Sequence, residues 1–306
     1  MAKLNIPLNV PKYKQKEYRN NWRLATKGTG RLMLFAGDQK VEHLNDDFFG
    51  KNIDKEDANP KHLFEIAATA HIGVFASQLG LISRYGQNYP QIPYLIKLNA
   101  RTNLVKTKNP VSRAWISVAD VVRFKQQSKL NVVGVGYTIY IGSEYEAEML
   151  KEAAQIVLQA QQQGLLSVIW MYPRGAKVLN EDDTHLIAGG AGVANCLGAD
   201  FVKVKYPYKE KGKQIAKNFQ EVIEAAGNTG VICVGGSQKT PKDYLKLVEQ
   251  QVQVSGTRGV AVGRNLHQRS LKEAVRLANA LSSIILYDYN YKDALAIYDG
   301  KKKMKW

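Results

Sequence analysis

Eight short apolar segments recur along the chain, and longer stretches with helical spacing of apolar residues lie between most of them. The short segments are nearly continuous runs of Val, Ile, Leu and aromatic residues, which is typical of strands buried on both faces. They predict strands at residues 31–38, 73–76, 94–98, 132–137, 168–172, 201–206, 230–234 and 259–262. The longer stretches predict helices at 59–70, 119–128, 143–163, 183–197, 213–226, 240–253 and 270–282, with at most a short helix at 79–85.

The alternation of strands and helices predicts a parallel sheet, and eight is the number of strands that closes into a (β/α)8 TIM barrel. The alternative is a doubly wound open sheet, but no Gly-x-Gly-x-x-Gly motif follows the first strand. We therefore expect a single catalytic barrel at 31–282. A basic N-terminal extension at 1–30 precedes it, and a C-terminal tail at 283–306 follows it.

The composition is that of a globular protein with a sizeable core, since 45% of the 306 residues are hydrophobic. No apolar run approaches the roughly 20 residues of a membrane span, and the first residues have no signal-peptide core. We expect a cytoplasmic protein with no membrane partner. The two cysteines, Cys196 and Cys233, lack metal-ligand spacing, so we expect both to be small buried hydrophobic residues in a reducing compartment.

Much of the formal net charge of +16 lies at the two ends of the chain. Residues 1–30 carry seven Lys and Arg residues against Glu17 alone, and the last six residues include four lysines. A basic surface of this kind binds nucleic acid in some proteins, and this remains an alternative function of a different class. Because no nucleic-acid-binding motif accompanies the charge, we expect solvated surface or contact with an acidic neighbour instead.

Two lysines lie in the sixth predicted strand, where a buried charge is costly. Lys203 and Lys205 are two residues apart and therefore share one face of the strand. A partly desolvated lysine beside a second cation loses its proton readily, and a neutral amine attacks carbonyl groups to form an imine. The alternative is an edge strand whose lysines extend into solvent. A barrel interior favours imine chemistry.

Other chemically active residues also fall at strand ends, where active sites of barrels lie. Asp38 follows the first strand, and Trp170 and Tyr172 share one face of the fifth. Tyr172 is a candidate for proton transfer, although it could be a core aromatic residue, and Asp38 could serve only as a counter-ion for lysine.

Glycine-rich loops follow the last two strands, at the usual phosphate site of such barrels. They predict a phosphate site at Gly235, Gly236, Ser237, Gly263 and Arg264. Arg174 could meet a second phosphate, or lie in a solvated loop. The five histidines form no His-x-His or His-Glu-x-x-His pattern, so we expect no metal ion. Imine chemistry on a lysine needs no organic cofactor either, so we expect none.

Together these motifs resemble the archaeal-type class I fructose-bisphosphate aldolases, the DhnA group of Schiff-base aldolases. The matching motifs are Ala36-Gly37-Asp38 with Glu42-His43, Lys97-Leu98-Asn99, Gly136 to Tyr140, Gly142 to Tyr145, Trp170 to Gly175, Lys203 to Tyr206, Val234-Gly235-Gly236 and Ala261 to Asn265. One departure is Gln39-Lys40 after Asp38, where the family has His-Gly. This departure leaves the aldehyde specificity open.

The resemblance implies that Lys203 forms the imine, that Tyr172 transfers the proton, and that Asp38 is the acid of the first strand. It also implies that Trp170, Lys205 and Arg174 contact the substrate.

The expected reaction is reversible cleavage of fructose 1,6-bisphosphate to dihydroxyacetone phosphate and glyceraldehyde 3-phosphate, as in glycolysis and gluconeogenesis. Related members act as an aldolase or transaldolase of aromatic biosynthesis, or as a thiolase on a phosphorylated sugar. The resemblance further implies a homo-oligomer, a decamer built from pentamers.

Overall fold

The computed structural model describes residues 4–207 and 213–304; residues 305–306 of the predicted tail lie outside the described residues. Eight parallel strands close in the order β1 to β8, with β8 paired to β1. The strands are β1 (Leu32–Ala36), β2 (Val74–Gln78), β3 (Tyr94–Lys97), β4 (Val132–Ile141), β5 (Leu166–Pro173), β6 (Phe201–Val204), β7 (Gly230–Val234) and β8 (Gly259–Val262). The predicted (β/α)8 barrel is confirmed, and the doubly wound alternative is wrong.

Helices follow the strands as the apolar spacing predicts. The α-helices of the described residues are α1 (Gln15–Thr26), α2 (Gln39–Glu42), α3 (Lys61–Thr69), α4 (Leu79–Tyr85), α5 (Val118–Ser128), α6 (Glu146–Gln162), α7 (Thr184–Cys196), α8 (Lys213–Asn218), α9 (Gln220–Ala226), α10 (Pro241–Glu249), α11 (Arg264–His267), α12 (Leu271–Tyr287) and α13 (Tyr291–Tyr298). Among the described helices, none is both long and apolar enough to cross a membrane.

Side chains alternate between two apolar layers along the strands. On β6, Val202 and Val204 join the layer between barrel and helices, whereas Phe201 joins the layer inside the barrel. Lys203 is therefore directed inward, two residues after Phe201, because strand side chains alternate. The barrel interior is packed at its centre by buried apolar side chains, among them Leu34, Trp170 and Phe201.

The N-terminal helix α1 covers the barrel at the ends where the strands begin. Its Trp22 ring stacks on Phe201, with 5.2 Å between centroids. The buried hydroxyl of Tyr18 donates to Asp200, whose carboxylate also accepts from the backbone and hydroxyl of Ser167 at 2.7 and 2.9 Å. The helix is amphipathic, so its basic residues lie largely on the face that points away from the barrel.

Several helices differ from the sequence-based expectations, among them the short helices α2 and α11, which were not predicted. The apolar spacing predicted neither α1 nor α13, and α13 packs on the barrel's outer helices, with the backbone N–H of Tyr291 donating to Glu249 at 2.9 Å. The prediction that both cysteines are buried is wrong for Cys196, which is exposed at the end of α7, and right for Cys233.

Gly136 makes room for the indole of Trp170. A Cβ at position 136 would lie 2.5 Å from a ring carbon of Trp170 and 2.9 Å from a methyl of Leu95. Both neighbours are buried, so neither can move freely. The glycine therefore determines how deeply the indole enters the barrel.

We expect Gly136→Ala to lower the free energy of unfolding by about 1–3 kcal/mol, because it overpacks the interior. Gly189→Ala is the matched control: Gly189 lies in α7 with open space at its Cβ position, and alanine in a helix should be neutral or stabilising by up to about 1 kcal/mol. Urea denaturation of both variants measures the difference, and equal stabilities would contradict the packing argument.

Candidate active site

A cavity of about 730 Å³ opens at the C-terminal ends of the strands. Ten of the eleven residues predicted for the site line it: Asp38, Tyr172, Arg174, Lys203, Lys205, Gly235, Gly236, Ser237, Gly263 and Arg264. The eleventh, Trp170, is buried in the layer inside the barrel. Residues far apart in sequence thus meet because parallel strands all end at one face.

Lys203 is a buried lysine at the edge of the cavity. Its side chain is directed into the barrel, the residue is 5% exposed, and Nζ lies 4.9 Å from the centroid of the Trp170 ring. Within the described residues, Nζ donates no hydrogen bond. Burial lowers the pKa of Lys203, whereas the nearby carboxylates of Asp38 and Glu42 raise it. A desolvated amine without fixed acceptors is suited to nucleophilic attack.

Lys205 differs from the role expected for it. The sequence suggested that it is the cation beside Lys203, but its Nζ lies 2.7 Å from Asp182 and 3.9 Å from Glu181. It is also about one third exposed, so its charge is paired and partly solvated. The buried cation of the barrel interior is instead Lys97, at the end of β3.

Two carboxylates approach Lys203 from the first turn after β1. Asp38 is buried, and Glu42 lines the cavity four residues later, at the end of the short helix α2. Burial, then the charge of Asp38, raise the pKa of Glu42, while Lys97 and Lys203 lower it. The sequence analysis assigned Glu42 no role. The spacing of four residues was a usable signal, since it places two side chains on one side of a helical turn.

Tyr172 lies on β5, opposite Tyr140 in the register of β4. Burial raises the pKa of Tyr172 well above its usual value, with further increases from Glu42, Asp38 and Tyr140. Tyr172 is therefore a neutral phenol at neutral pH, which can donate a proton. It becomes a base only when a nearby positive charge stabilises its ionised form.

Arg174 follows Tyr172 and lines the outer part of the cavity. Its guanidinium is bound by both carboxylate oxygens of Glu181, at 3.1 and 3.3 Å, and lies over the ring of Tyr140. Glu181 thus partly neutralises the two cations at this end of the cavity, Arg174 and Lys205. A second anionic group of a substrate would have to compete with this pairing.

The glycine loops after β7 and β8 lie side by side and are joined by Asn265. The amide of Asn265 donates to the backbone oxygens of Gly235 and Ser237 at 3.1 and 3.0 Å, and accepts from the backbone N–H of Lys239 at 2.9 Å. Gly236 has a φ of +70°, which few other residues adopt readily. Asn265 therefore holds the β7 loop against the start of α11.

Two cations face the cavity beside these loops. Lys239 lines it together with Arg264; burial lowers the pKa of Lys239, and the charge of Arg264 adds to this effect. The Nε of Arg264 lies 3.7 Å from Asp47, which His43 contacts by a hydrogen bond. Two close cations beside glycine backbone N–H groups form a surface suited to a phosphate. Sequence analysis missed Lys239, because it lies in the loop and not at the strand end.

Gln39 is the first residue of the departure from the family motif that follows Asp38. A Cβ at Gly263 would lie 2.2 Å from the Gln39 side-chain nitrogen, so the Gln39 amide lies directly against the glycine of the β8 loop. The first turn after β1 and the proposed phosphate loop are thus in contact through a neutral side chain.

The fold and the cavity together define a TIM-barrel enzyme with a buried lysine and two carboxylates at its active-site face. The chain belongs to the DeoC/LacD family of aldolases, whose pattern it matches over residues 32–269. The expectation of an aldolase is therefore confirmed.

Two sequence relatives carry the name fructose-bisphosphate aldolase. The chain is 53% identical over 300 residues to the fructose-bisphosphate aldolase/6-deoxy-5-ketofructose 1-phosphate synthase of Methanocaldococcus jannaschii, covering 98% of this chain and 96% of that protein. It is 35% identical to the class 1 fructose-bisphosphate aldolase of Thermoproteus tenax, over 84% of this chain and 90% of the relative.

Solved structures give the same grouping. The fructose-bisphosphate aldolase of Slackia heliotrinireducens has a TM-score of 0.96 at 48% identity, covering 99% of this chain and 96% of that one. An archaeal fructose-1,6-bisphosphate aldolase, solved with its catalytic lysine bound to the carbinolamine intermediate of its substrate, has a TM-score of 0.75 at 33% identity, with coverages of 88% and 99%.

Activity should survive a chelator. Among the described residues, no group of three or more His, Cys, Asp and Glu side chains is placed to hold a metal ion. We expect the rate of sugar-phosphate cleavage to be unchanged after incubation with excess EDTA. A loss of activity that zinc restores would contradict this prediction, and a zinc-dependent aldolase assayed in parallel shows that the chelator is effective.

Proposed function

We propose that the protein is a class I fructose-bisphosphate aldolase in which Lys203 forms the imine. The observation that carries this proposal is the burial of Lys203 within a cavity that also holds Asp38, Glu42 and Tyr172. The cavity combines a nucleophilic amine with proton donors and acceptors, as Schiff-base chemistry requires. Relatives named fructose-bisphosphate aldolase support the choice of substrate.

The reaction begins when the neutral amine of Lys203 attacks C2 of the ketose. The resulting carbinolamine loses its hydroxyl group as water and becomes a protonated imine. The C3–C4 bond then breaks, and its electron pair moves toward the imine to form an enamine. Protonation of the enamine at C3 and hydrolysis release dihydroxyacetone phosphate and regenerate Lys203, while the other three carbons leave as glyceraldehyde 3-phosphate.

Tyr172 transfers the proton of the C4 hydroxyl group. In the condensation direction the neutral phenol donates its proton to the aldehyde oxygen as the C–C bond forms. In the cleavage direction the positive charge of the imine favours the ionised phenol, which then accepts the C4 proton. Asp38 and Glu42 are close enough to Lys203 and Tyr172 to influence the charge of both, and they exchange protons during formation and loss of the carbinolamine.

The ketose phosphate binds at the loops after β7 and β8, with Gly235, Gly236, Ser237, Gly263 and Arg264 as its contacts. Trp170 packs beneath Lys203 and holds the amine in place, while Lys205 and Arg174 lie toward the aldehyde end. This arrangement places the C2 carbonyl near Lys203, because the phosphate and the reacting carbon of a C1-phosphorylated ketose are adjacent.

A second candidate reaction uses the same imine but a different aldehyde substrate. The Methanocaldococcus jannaschii relative also carries the name 6-deoxy-5-ketofructose 1-phosphate synthase, a product with a single phosphate. The pairing of Arg174 with Glu181 reduces the positive charge available for a second phosphate, which favours tolerance of such substrates. A panel of aldehydes with and without phosphate, assayed with dihydroxyacetone phosphate, separates the two reactions.

We further propose that the enzyme acts in the cytoplasm, in glycolysis and gluconeogenesis. The family resemblance suggests that it assembles as a homo-oligomer built from pentamers. The domain division into an extension at 1–30, a barrel at 31–282 and a tail at 283–306 belongs to the same proposal. Sedimentation of the full chain tests the assembly.

Borohydride reduction in the presence of dihydroxyacetone phosphate should attach the substrate covalently to Lys203. Peptide mass mapping identifies the modified residue. Lys203→Met should trap nothing, whereas Lys205→Met should still give an adduct on Lys203, because the Lys205 charge is paired with Asp182. An adduct on Lys205 would reverse the roles, and the absence of any adduct on the wild-type protein would exclude an imine mechanism.

Arg264→Ala should raise KM for fructose 1,6-bisphosphate by about tenfold to a hundredfold, since a charge-assisted contact contributes about 1.5–3 kcal/mol. Lys242→Ala is the matched control, because Lys242 is exposed on α10 and does not line the cavity. Steady-state kinetics of both variants decide the outcome. An unchanged KM for Arg264→Ala would place the phosphate elsewhere.

A further inference from the structure

Lys97 is a second lysine enclosed within the barrel, and neither the sequence analysis nor the proposed mechanism gives it a role. It ends β3 and is only 1% exposed. Although it does not line the cavity wall, its charge acts on the groups that do: Lys97 lowers the pKa of Glu42. Burying an ammonium group is costly unless other groups stabilise it, so the surroundings of Lys97 indicate its role.

Three acceptors surround the Lys97 ammonium group. Its Nζ donates to the backbone oxygen of Asn99 at 2.9 Å, to the Asn99 side-chain oxygen at 3.1 Å and to the Thr138 hydroxyl at 2.6 Å. A lysine ammonium has three N–H donors, so all of them are used. The charged form of Lys97 is therefore solvated by the protein itself.

The acceptors are themselves fixed in place. The Asn99 amide donates to the backbone oxygens of Ser112 and Thr138, each at 2.9 Å, and its oxygen also accepts from the backbone N–H of Thr138 at 2.8 Å. With these bonds, Asn99 cannot turn away from Lys97. The Asn99 oxygen atoms that stabilise the ammonium are thus held in one orientation by hydrogen bonds to neighbouring backbone.

Lys97 and Lys203 contact the same indole. The Nζ of each lies 4.9 Å from the centroid of the Trp170 ring, so the two nitrogen atoms are at most twice that distance apart. Both are removed from water, and charges interact more strongly in a buried environment than at a surface. Two ammonium groups so placed repel each other, and one of them loses its proton more readily.

The surroundings decide which lysine keeps its proton. Lys97 has three fixed acceptors, whereas Lys203 donates no hydrogen bond within the described residues. Burial lowers the pKa of both, Asp38 and Glu42 raise the pKa of both, and the charge of Lys203 lowers the pKa of Lys97 further. The three hydrogen bonds of Lys97 oppose this last effect, because they stabilise its charged form. The contrast in hydrogen bonding therefore favours a charged Lys97 beside a neutral Lys203.

We propose that Lys97 is a positioning residue: a permanently charged group that acts across Trp170 to keep Lys203 as the neutral nucleophile. This inference rests on the proposed imine chemistry of Lys203 and assigns the role of neighbouring cation, which the sequence suggested for Lys205, to Lys97. Asn99 and Thr138 hold the charge in place. After imine formation, the same repulsion favours movement of the electron pair toward the positively charged nitrogen.

The pH dependence of adduct formation tests the proposal. The rate of trapping by cyanoborohydride with dihydroxyacetone phosphate is measured from about pH 6 to about pH 10 for the wild-type protein and for Lys97→Met, which preserves length but removes charge. Without the cation, Lys203 holds its proton to higher pH. We expect trapping to be at least about tenfold slower near pH 6 and to approach the wild-type rate near pH 10, because the neutral fraction of Lys203 rises with pH in both proteins.

Three further variants separate charge from packing. Glu42→Gln removes one of the carboxylates that favour the protonated form of Lys203, so its trapping profile should shift to lower pH, opposite to Lys97→Met. Thr138→Val removes one acceptor of Lys97 and should shift the profile in the same direction as Lys97→Met but less, while Thr138→Ser keeps the hydroxyl and should match the wild type. The two Thr138 variants still test the proposal if Lys97→Met does not fold.

Distinct results overturn distinct claims. A Lys97→Met protein that traps more slowly by one factor at every pH would show a packing role only and overturn the inference, as would equal profiles for Thr138→Val and Thr138→Ser. Failure of the wild-type protein to form an adduct on Lys203 would instead overturn the proposed imine mechanism.

Discussion

Closure of the barrel is the constraint on which the site depends. Once eight strands close, every second side chain of β6 must point into a space with little water, and Lys203 occupies one such position. Desolvation disfavours the charged form of a lysine, so the same geometry that buries the residue also makes its amine reactive. A substrate reaches Lys203 through the cavity at the C-terminal strand ends, which Lys203 itself lines.

Charge inside the barrel is divided among groups with different surroundings. Lys97 has three fixed acceptors, Lys203 has none among the described residues, and Asp38 and Glu42 line the same cavity as Lys203. The carboxylates offset the cost of burying positive charge inside the barrel, and the two lysines in turn lower the pKa of Glu42. The arrangement keeps each group in the state that the proposed reaction needs, with Tyr172 as a neutral phenol.

The opposite end of the barrel is covered by the N-terminal helix, whereas the active-site end is open. Asp200, three residues before Lys203, accepts hydrogen bonds from Tyr18 and Ser167. Burial raises its pKa to about 6, although these hydrogen bonds act in the other direction. Trp22 stacks on Phe201 in the next position. The N-terminal helix thus anchors the start of β6, so the strand presents Lys203 from a fixed base.

The sequence by itself determined the eight strands, the barrel and the placement of Lys203, Tyr172, Asp38 and the glycine loops at one face. Strand periodicity is a local property of the sequence, and the parallel strands of a barrel all end at the same face. The sequence could not determine which cation neighbours Lys203. That depends on rotamers and on contacts across strands, which direct Lys205 to Asp182 and enclose Lys97 against Trp170. Helix α1 and the role of Glu42 were likewise decided by tertiary packing, since polar residues acquire their pKa and their partners only when distant segments meet.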